Sequence, residues 1–210
     1  MRMLALAPLM LTGLAATMTV PSAAQEAAPP ALTKDPTQVR PGRYQLDPAH
    51  AKITWSLSHL GFSTYYGQIT DVTGAASLDP KEPAKSRLSV KIGMGSFDGL
   101  NARLNEHVKG PDFLDTQKFP EATYVATLVE PTSPTTARIV GDLTLKGVTK
   151  SISFDATFNQ AGVNPVDKKY SVGFDGRAVI QRSDFGVSGY LPAVGDEVTL
   201  RLEGEFKAIE

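Results

Sequence analysis

The sequence predicts an all-β protein, an antiparallel sandwich or closed barrel of about eight strands interrupted by one short helix. Three observations carry this reading. Apolar and polar residues alternate with a period of two in almost every readable segment after Arg43, which places one face of each strand on a core and the other in water. Short turns join these segments with no regular helices between them, which argues against parallel βαβ units. The segments number about eight, at which a barrel is just wide enough for its own side chains or one small ligand.

The chain opens with Arg2, the apolar run "LALAPLMLTGLAATMTV" and then "PSAAQE", in which Ser22 and Ala24 supply the small residues of a signal-peptidase site. We read a signal peptide over 1–24 and an exported protein. Pro8 and Gly13 interrupt the run and no basic stop-transfer segment follows, so a retained membrane helix is the weaker reading. Residues 25–41, "QEAAPPALTKDPTQVRP", contain four prolines and no hydrophobic periodicity, and read as a flexible leader to a single domain over 42–210.

In "ITWSLSH", Ile53, Trp55, Leu57 and then His59 share one face before Gly61 ends the strand. "SRLSVKIGM" aligns Leu88, Val90, Ile92 and Met94. "ARIVGDLTLKGVTKSISFDATF" reads as a hairpin with "KGVTK" as its turn: Ile139, Gly141, Leu143 and Leu145 run up, and Ile152, Phe154, Ala156 and Phe158 run down. "DEVTLRLEGEFK" closes the pattern with Val198, Leu200, Leu202, Gly204 and Phe206 inward. Several inward positions are small: Gly141, Ala156, Gly176, Ala178 and Gly204. Small residues there leave room inside the barrel or mark close contacts between strands, and the sequence favours neither. The helix lies in "FDGLNARLNEHVKGPDFLD", with Asp98 as its cap, Gly110 and Pro111 as its stop, and Leu100, Leu104 and Val108 on one stripe beside Arg103 and His107.

Composition narrows the function classes. The formal charge is −1, and removal of Arg2 with the signal leaves 20 basic against 22 acidic residues, with no basic cluster for nucleic acid or an anionic membrane surface. An exported chain without cysteine draws its stability from packing, hydrogen bonding and association instead of disulfides. There is no cysteine nucleophile and no G-x-S-x-G elbow, and "GMGSFDG" places its third glycine one position late for a dinucleotide fingerprint. His50, His59 and His107 stand singly, without metal-ligand spacing, so neither a metal nor a cofactor is expected.

Taken one at a time, the polar residues read as structural. A strand-end histidine such as His59 commonly packs its ring and bonds a carbonyl, and Arg103 at a helix margin commonly snorkels. In "QRSDFG", Arg182 and Asp184 project to one side and read as a charge-assisted pair pinning a turn before Phe185. Phe113, Phe119 and Tyr124 read as core.

Together, "YQLDPAHAKITWSLSHLGFSTYYGQI", "NARLNEHVKGPDFLDTQKFPEATY", "GDLTLKGVTKSISF" and "RSDFG…VGDEVTL" resemble the YceI-like family of periplasmic polyisoprenoid-binding proteins in order and spacing. The resemblance spans about 42–207. It implies an eight-stranded lipocalin-like barrel, usually a homodimer, with an apolar interior for an isoprenoid or fatty lipid and no catalytic residues. Where the family's helix often reads R-D-x-H-L, this chain has Leu104-Asn105-Glu106-His107-Val108, so the usual arginine is absent and Arg103 stands one place earlier. On this reading the candidate ligand-binding residues are Trp55, Leu57, His59 and Phe62 around the first strand end. Arg103 and His107 come from the helix, Phe113 and Phe119 from the segment after it, and Arg182, Asp184 and Phe185 from the RSDFG turn. Two other functions compete: a lipid-modifying enzyme in which His59, His107 and Asp184 or Asp112 meet in space, and a structural, stress-related barrel without a ligand.

Overall fold

The computed structural model describes residues 32–209, so the signal segment and the first part of the leader lie outside the described residues. The strands are β1 (Gly42–Leu46), β2 (Lys52–His59), β3 (Ser63–Ile69), β4 (Val72–Leu78), β5 (Arg87–Gly93), β6 (Phe97–Asp98), β7 (Glu121–Pro131), β8 (Thr136–Leu145), β9 (Val148–Val163), β10 (Tyr170–Gln181) and β11 (Glu197–Ala208), with helix α1 (Ala102–Lys109) between β6 and β7. Eight of them close an antiparallel ring in the order β1-β4-β5-β7-β8-β9-β10-β11, and β11 returns to β1. The remaining three continue the lines of β1, β4 and β5 beyond a bend: β2 pairs with the other half of β11, β3 with β2, and β6 with β3.

The bend has local causes. Asp47 accepts a hydrogen bond from the Ala49 amide at the head of the tight turn Pro48–His50, which separates β1 from β2. Ser96 Oγ accepts from the Thr70 and Asp71 amides at 3.2 and 2.9 Å, tying the β3/β4 break to the β5/β6 break. Beyond it β6 follows β3 while β7 stays on β5. The wall therefore splits, and the segment from Gly99 to Pro120, with α1, fills the opening.

The alternating residues point as expected. Gly141 faces Ile152 and Leu145 faces Val148, but the turn is only Lys146 and Gly147, at φ 50° and 75°, the left-handed pair of a two-residue hairpin. The helix is capped by Asn101, whose Oδ1 accepts from the Leu104 amide at 3.0 Å. Asp98 belongs to β6 and accepts instead from the Leu100 amide and Asn105 Nδ2, so Leu100 stays outside the helix, 72% exposed.

From Leu32 on, the expected flexible leader is packed. Thr33 bridges Ala161, Val39 is buried, and the Arg40 guanidinium lies 4.3 Å above the Tyr170 ring. These are single anchors, which leave no periodic trace in a sequence. They cover a filled end of the barrel, where Tyr44, Val172 and Phe206 are buried and Phe174 packs edge-on against Phe158 and Phe206 at 5.8 and 6.1 Å.

The small inward residues mark close contacts. A Cβ on Gly141 would lie 2.4 Å from the Val125 carbonyl and 2.6 Å from the Tyr124 ring, and one on Gly176 would meet Leu202 and Phe154 at 3.1 and 3.2 Å. The open space lies elsewhere, behind large side chains.

Candidate functional site

Between the bend and α1 the barrel encloses a cavity of about 310 Å³. The period-two pattern builds its walls: Ile53, Trp55 and Leu57 from β2, Tyr65 and Ile69 from β3, and Val198 and Leu200 from β11. Helix α1 adds Leu104 and Val108, four residues apart on one stripe. Trp55 is stacked between Phe97, at 4.9 Å and 13°, and Tyr65, at 6.1 Å and 14°. Gly67 makes room for it, since a Cβ there would fall 2.2 Å from the indole. Trp55 Nε1 is the one buried side-chain nitrogen or oxygen without a hydrogen-bond partner among the described residues, an omission that costs about 1–3 kcal/mol. The wall offers almost nothing polar besides His59, His107, Arg182 and the tyrosine hydroxyls.

Of the wall residues, His107 and Tyr190 are the exposed ones, so the wall comes nearest to solvent at their rings. Their rings and that of Phe113 form a three-sided gate: His107 lies 4.8 Å from Phe113 and 5.8 Å from Tyr190, and Phe113 lies 5.8 Å from Tyr190. Gly189 lets the loop approach, because a Cβ there would come within 2.7 Å of Phe113. The helix side of the gate is fixed by Asn105, which accepts from the Gly99 amide at 2.6 Å and donates to Asp98 at 2.9 Å. The bonds that Asp98 accepts from Asn105 and the Leu100 amide hold its carboxyl below the usual carboxylate range, the Asn105 contribution being the largest. His59 stands just inside, its ring 6.0 Å from Tyr65 and its backbone bridged to Val194.

The loop side of the gate is held by Arg182. Its side chain is buried, and it donates from Nε to Gly195 O at 2.9 Å, from Nη1 to Val187 O at 2.7 Å and from Nη2 to Val194 O at 2.9 Å. Burial pulls its pKa down, an effect opposed by the Asp196 carboxylate. Asp196 in turn accepts from Ser183 Oγ at 2.6 Å and the Ser183 amide at 2.8 Å, and these bonds, the side-chain one foremost, keep its carboxyl low despite burial. The expected Arg182–Asp184 pair is not formed. The chain turns at Arg182–Phe185 instead of continuing as strand, so Asp184 points to solvent and Arg182 inward to carbonyls.

Of the sequence candidates, Trp55, Leu57, His59, His107, Phe113 and Arg182 meet at the cavity. Phe62 stands outside it, 91% exposed in the β2–β3 turn, and Arg103 is exposed on α1 one turn before His107. Phe119 covers the β8–β9 turn at Gly147, Asp184 is exposed, and Phe185 is buried in a separate cluster with Tyr124 and Ile139. Neither Asp112 nor Asp184 reaches the wall, so the cavity brings two histidines together without the aspartate that an acid–base pair with them calls for. The third histidine lies at the filled end, where ligand atoms of Asp47, His50 and Glu205 come within 4.8 Å of one another. Those carboxylates already have a cation: the Lys207 ammonium bonds Glu205 and sits 3.0 Å from Asp167 and 3.9 Å from Asp47. Sequence reasoning missed Tyr190, Val187 and Val194, which lie in an aperiodic loop, and Tyr65, which the alternation of "STYYGQI" could have supplied.

A model of the YceI-like domain matches residues 44–206. The chain belongs to the YceI-like family. It is 38% identical over 154 residues to a UPF0312 protein of Pseudomonas putida (strain W619), covering 72% of this chain and 80% of the relative. It is 36% identical over 170 residues to a UPF0312 protein of Pseudomonas fluorescens (strain SBW25), covering 80% and 88%. Among solved structures, this YceI-like chain is similar to Burkholderia cenocepacia BcnA at 25% identity and a TM-score of 0.69, over 78% of this chain and 99% of that one. The Campylobacter jejuni YCEI protein matches at 27% and 0.65, over 73% and 90%. A polyisoprenoid binding domain from Saccharophagus degradans matches at 14% and 0.58, over 81% and 100%, a likeness of fold.

Proposed function

We infer that this YceI-like protein binds a long-chain isoprenoid or similar amphiphilic lipid in the cavity, without changing it chemically, and carries, stores or sequesters it in the periplasm. The observation that carries this reading is an apolar chamber, aromatic on one side, closed by the exposed rings of His107 and Tyr190. At about 310 Å³ it is at the small end of the ~300–1,000 Å³ typical of ligand pockets. As it stands it takes the first part of a tail, and a longer chain leaves through the gate or displaces gate rings. Each buried methylene contributes about 0.8 kcal/mol before losses, so affinity comes from tail length and selection of the head group falls to His59, His107 and Tyr190 at the mouth. The signal-like N-terminus supports export, the polyisoprenoid-binding neighbour supports the ligand class, and the family resemblance supports a homodimer.

Native mass spectrometry of protein purified gently from a periplasmic extract, followed by organic extraction of whatever adds mass, tests the proposal. A stoichiometric prenyl or fatty lipid supports it. An empty protein that also fails to take up added prenyl alcohol overturns it and returns His59 to a packing role at a strand end.

A further inference from the structure

Three of the exposed apolar side chains lie together. Leu60 and Phe62, 49% and 91% exposed, occupy the β2–β3 turn, and Tyr190, 62% exposed, tops the opposing loop. The turn and the loop are one unit: the Leu60 amide donates to Ala193 O at 2.9 Å, and His59 bridges Val194. Leu60 and Gly61 both hold left-handed conformations, φ 54° and 71°, so the turn is tight and Phe62 projects from its tip. Since His59, Val194 and Tyr190 are all wall residues, this apolar knuckle borders the mouth of the cavity. Arg103 is exposed on α1, one helical turn before His107, whose ring meets that of Tyr190.

The knuckle leaves three apolar side chains together in water, and a lipid tail cannot cross water to reach the gate without a large loss of free energy. Both problems disappear if the knuckle enters a bilayer. We propose that Leu60, Phe62 and Tyr190 seat the mouth of the barrel on a lipid bilayer surface, so that ligand passes between membrane and cavity along a dry path. This rests on the lipid-binding reading of the cavity. Leucine and phenylalanine enter the acyl boundary, and the Tyr190 ring sits at the headgroup level. Contact is transient, because two or three apolar tips do not anchor a protein permanently.

The test uses the purified protein with phosphatidylcholine vesicles containing some phosphatidylglycerol. Flotation should carry wild type with the vesicles, and Leu60→Ser/Phe62→Ser should reduce the floated fraction by roughly tenfold. Val166→Ser, which removes an 88% exposed apolar residue near the filled end, should leave flotation unchanged. Uptake of a prenyl alcohol, followed by Trp55 emission, should slow in the double variant when the alcohol comes from vesicles and stay at the wild-type rate when it comes from cyclodextrin. Wild type that does not float, or equal slowing from both sources, overturns the docking surface. Loss of a dimer in the double variant by sedimentation, with no vesicle binding by wild type, also overturns it and makes the knuckle a contact between copies. Failure of uptake from cyclodextrin by wild type is a different result: it removes the lipid-binding reading, while flotation alone still decides docking.

Discussion

A Val198→Phe substitution adds about four carbons to the cavity from a strand whose hydrogen bonds are unaffected. Val198 lies on β11 opposite Ile180, both in the cavity wall, and phenylalanine suits a strand at least as well as valine. The chamber is only about 310 Å³, so those carbons occupy space the tail would fill. At about 0.8 kcal/mol per displaced carbon the ligand loses about 3 kcal/mol, roughly a hundredfold in Kd. In a filled core such a change costs about 1–3 kcal/mol of stability. Here the ring enters a void, so the unliganded protein should keep its stability or gain some. The two effects therefore have opposite signs, a signature that general damage to the fold cannot produce. Trp55, the only tryptophan, is stacked in the wall and reports prenyl alcohol binding by its emission, while urea unfolding reports stability. Unchanged affinity in a stable variant would show that the ligand sits elsewhere, and a loss of stability would show that Val198 faces packed atoms.

Arg182→Met removes three hydrogen bonds and leaves the Gly195, Val187 and Val194 carbonyls without their donor; urea unfolding should show a loss of about 4 kcal/mol, and hydrogen exchange should speed first in the 187–195 loop. Asp196 has a depressed pKa in the folded state, so its contribution is present above the ordinary aspartate value of about 3.9 and lost as pH falls through the lower folded value. Asp196→Asn should accordingly flatten the acid limb of the thermal stability profile, and an unchanged limb would remove this residue from the account. Gly141→Val should destabilise by about 3 kcal/mol or more, because the Tyr124 ring and Val125 carbonyl already occupy the space; a mild effect by thermal melting would mean that Tyr124 can swing away.

The sequence made the barrel legible because one-sided burial leaves a period of two, visible in β5, β8, β9 and β11 from apolar positions alone. The same signal placed Trp55, Leu57 and His59 on one wall, and they do share it. What it could not carry were features fixed by single contacts. The anchoring of Val39 and Arg40, the choice of Asn101 over Asp98 as the helix cap and the direction of Arg182 each depend on one partner distant in sequence or on a turn that ends a strand early. The inward glycines leave the choice open for a related reason: a missing side chain is the same letter whether the space it leaves is empty or filled by the ring of Tyr124.

That asymmetry bears on how the cavity is kept open. A barrel of eight strands has little interior to spare, and its filled end shows what aromatic residues do when they meet across the axis: Phe158, Phe174 and Phe206 leave no space between them. At the other end the aromatics stack side by side, with Trp55 nearly parallel to Phe97 and Tyr65, and all three line the chamber. Gly67 is what permits this, since any side chain there would push the indole toward the axis. The split between β6 and β7 then seats α1, which brings His107 to the gate, and Arg182 holds the facing loop through three carbonyls. Room in this fold comes from how large side chains lie and from where the sheet parts.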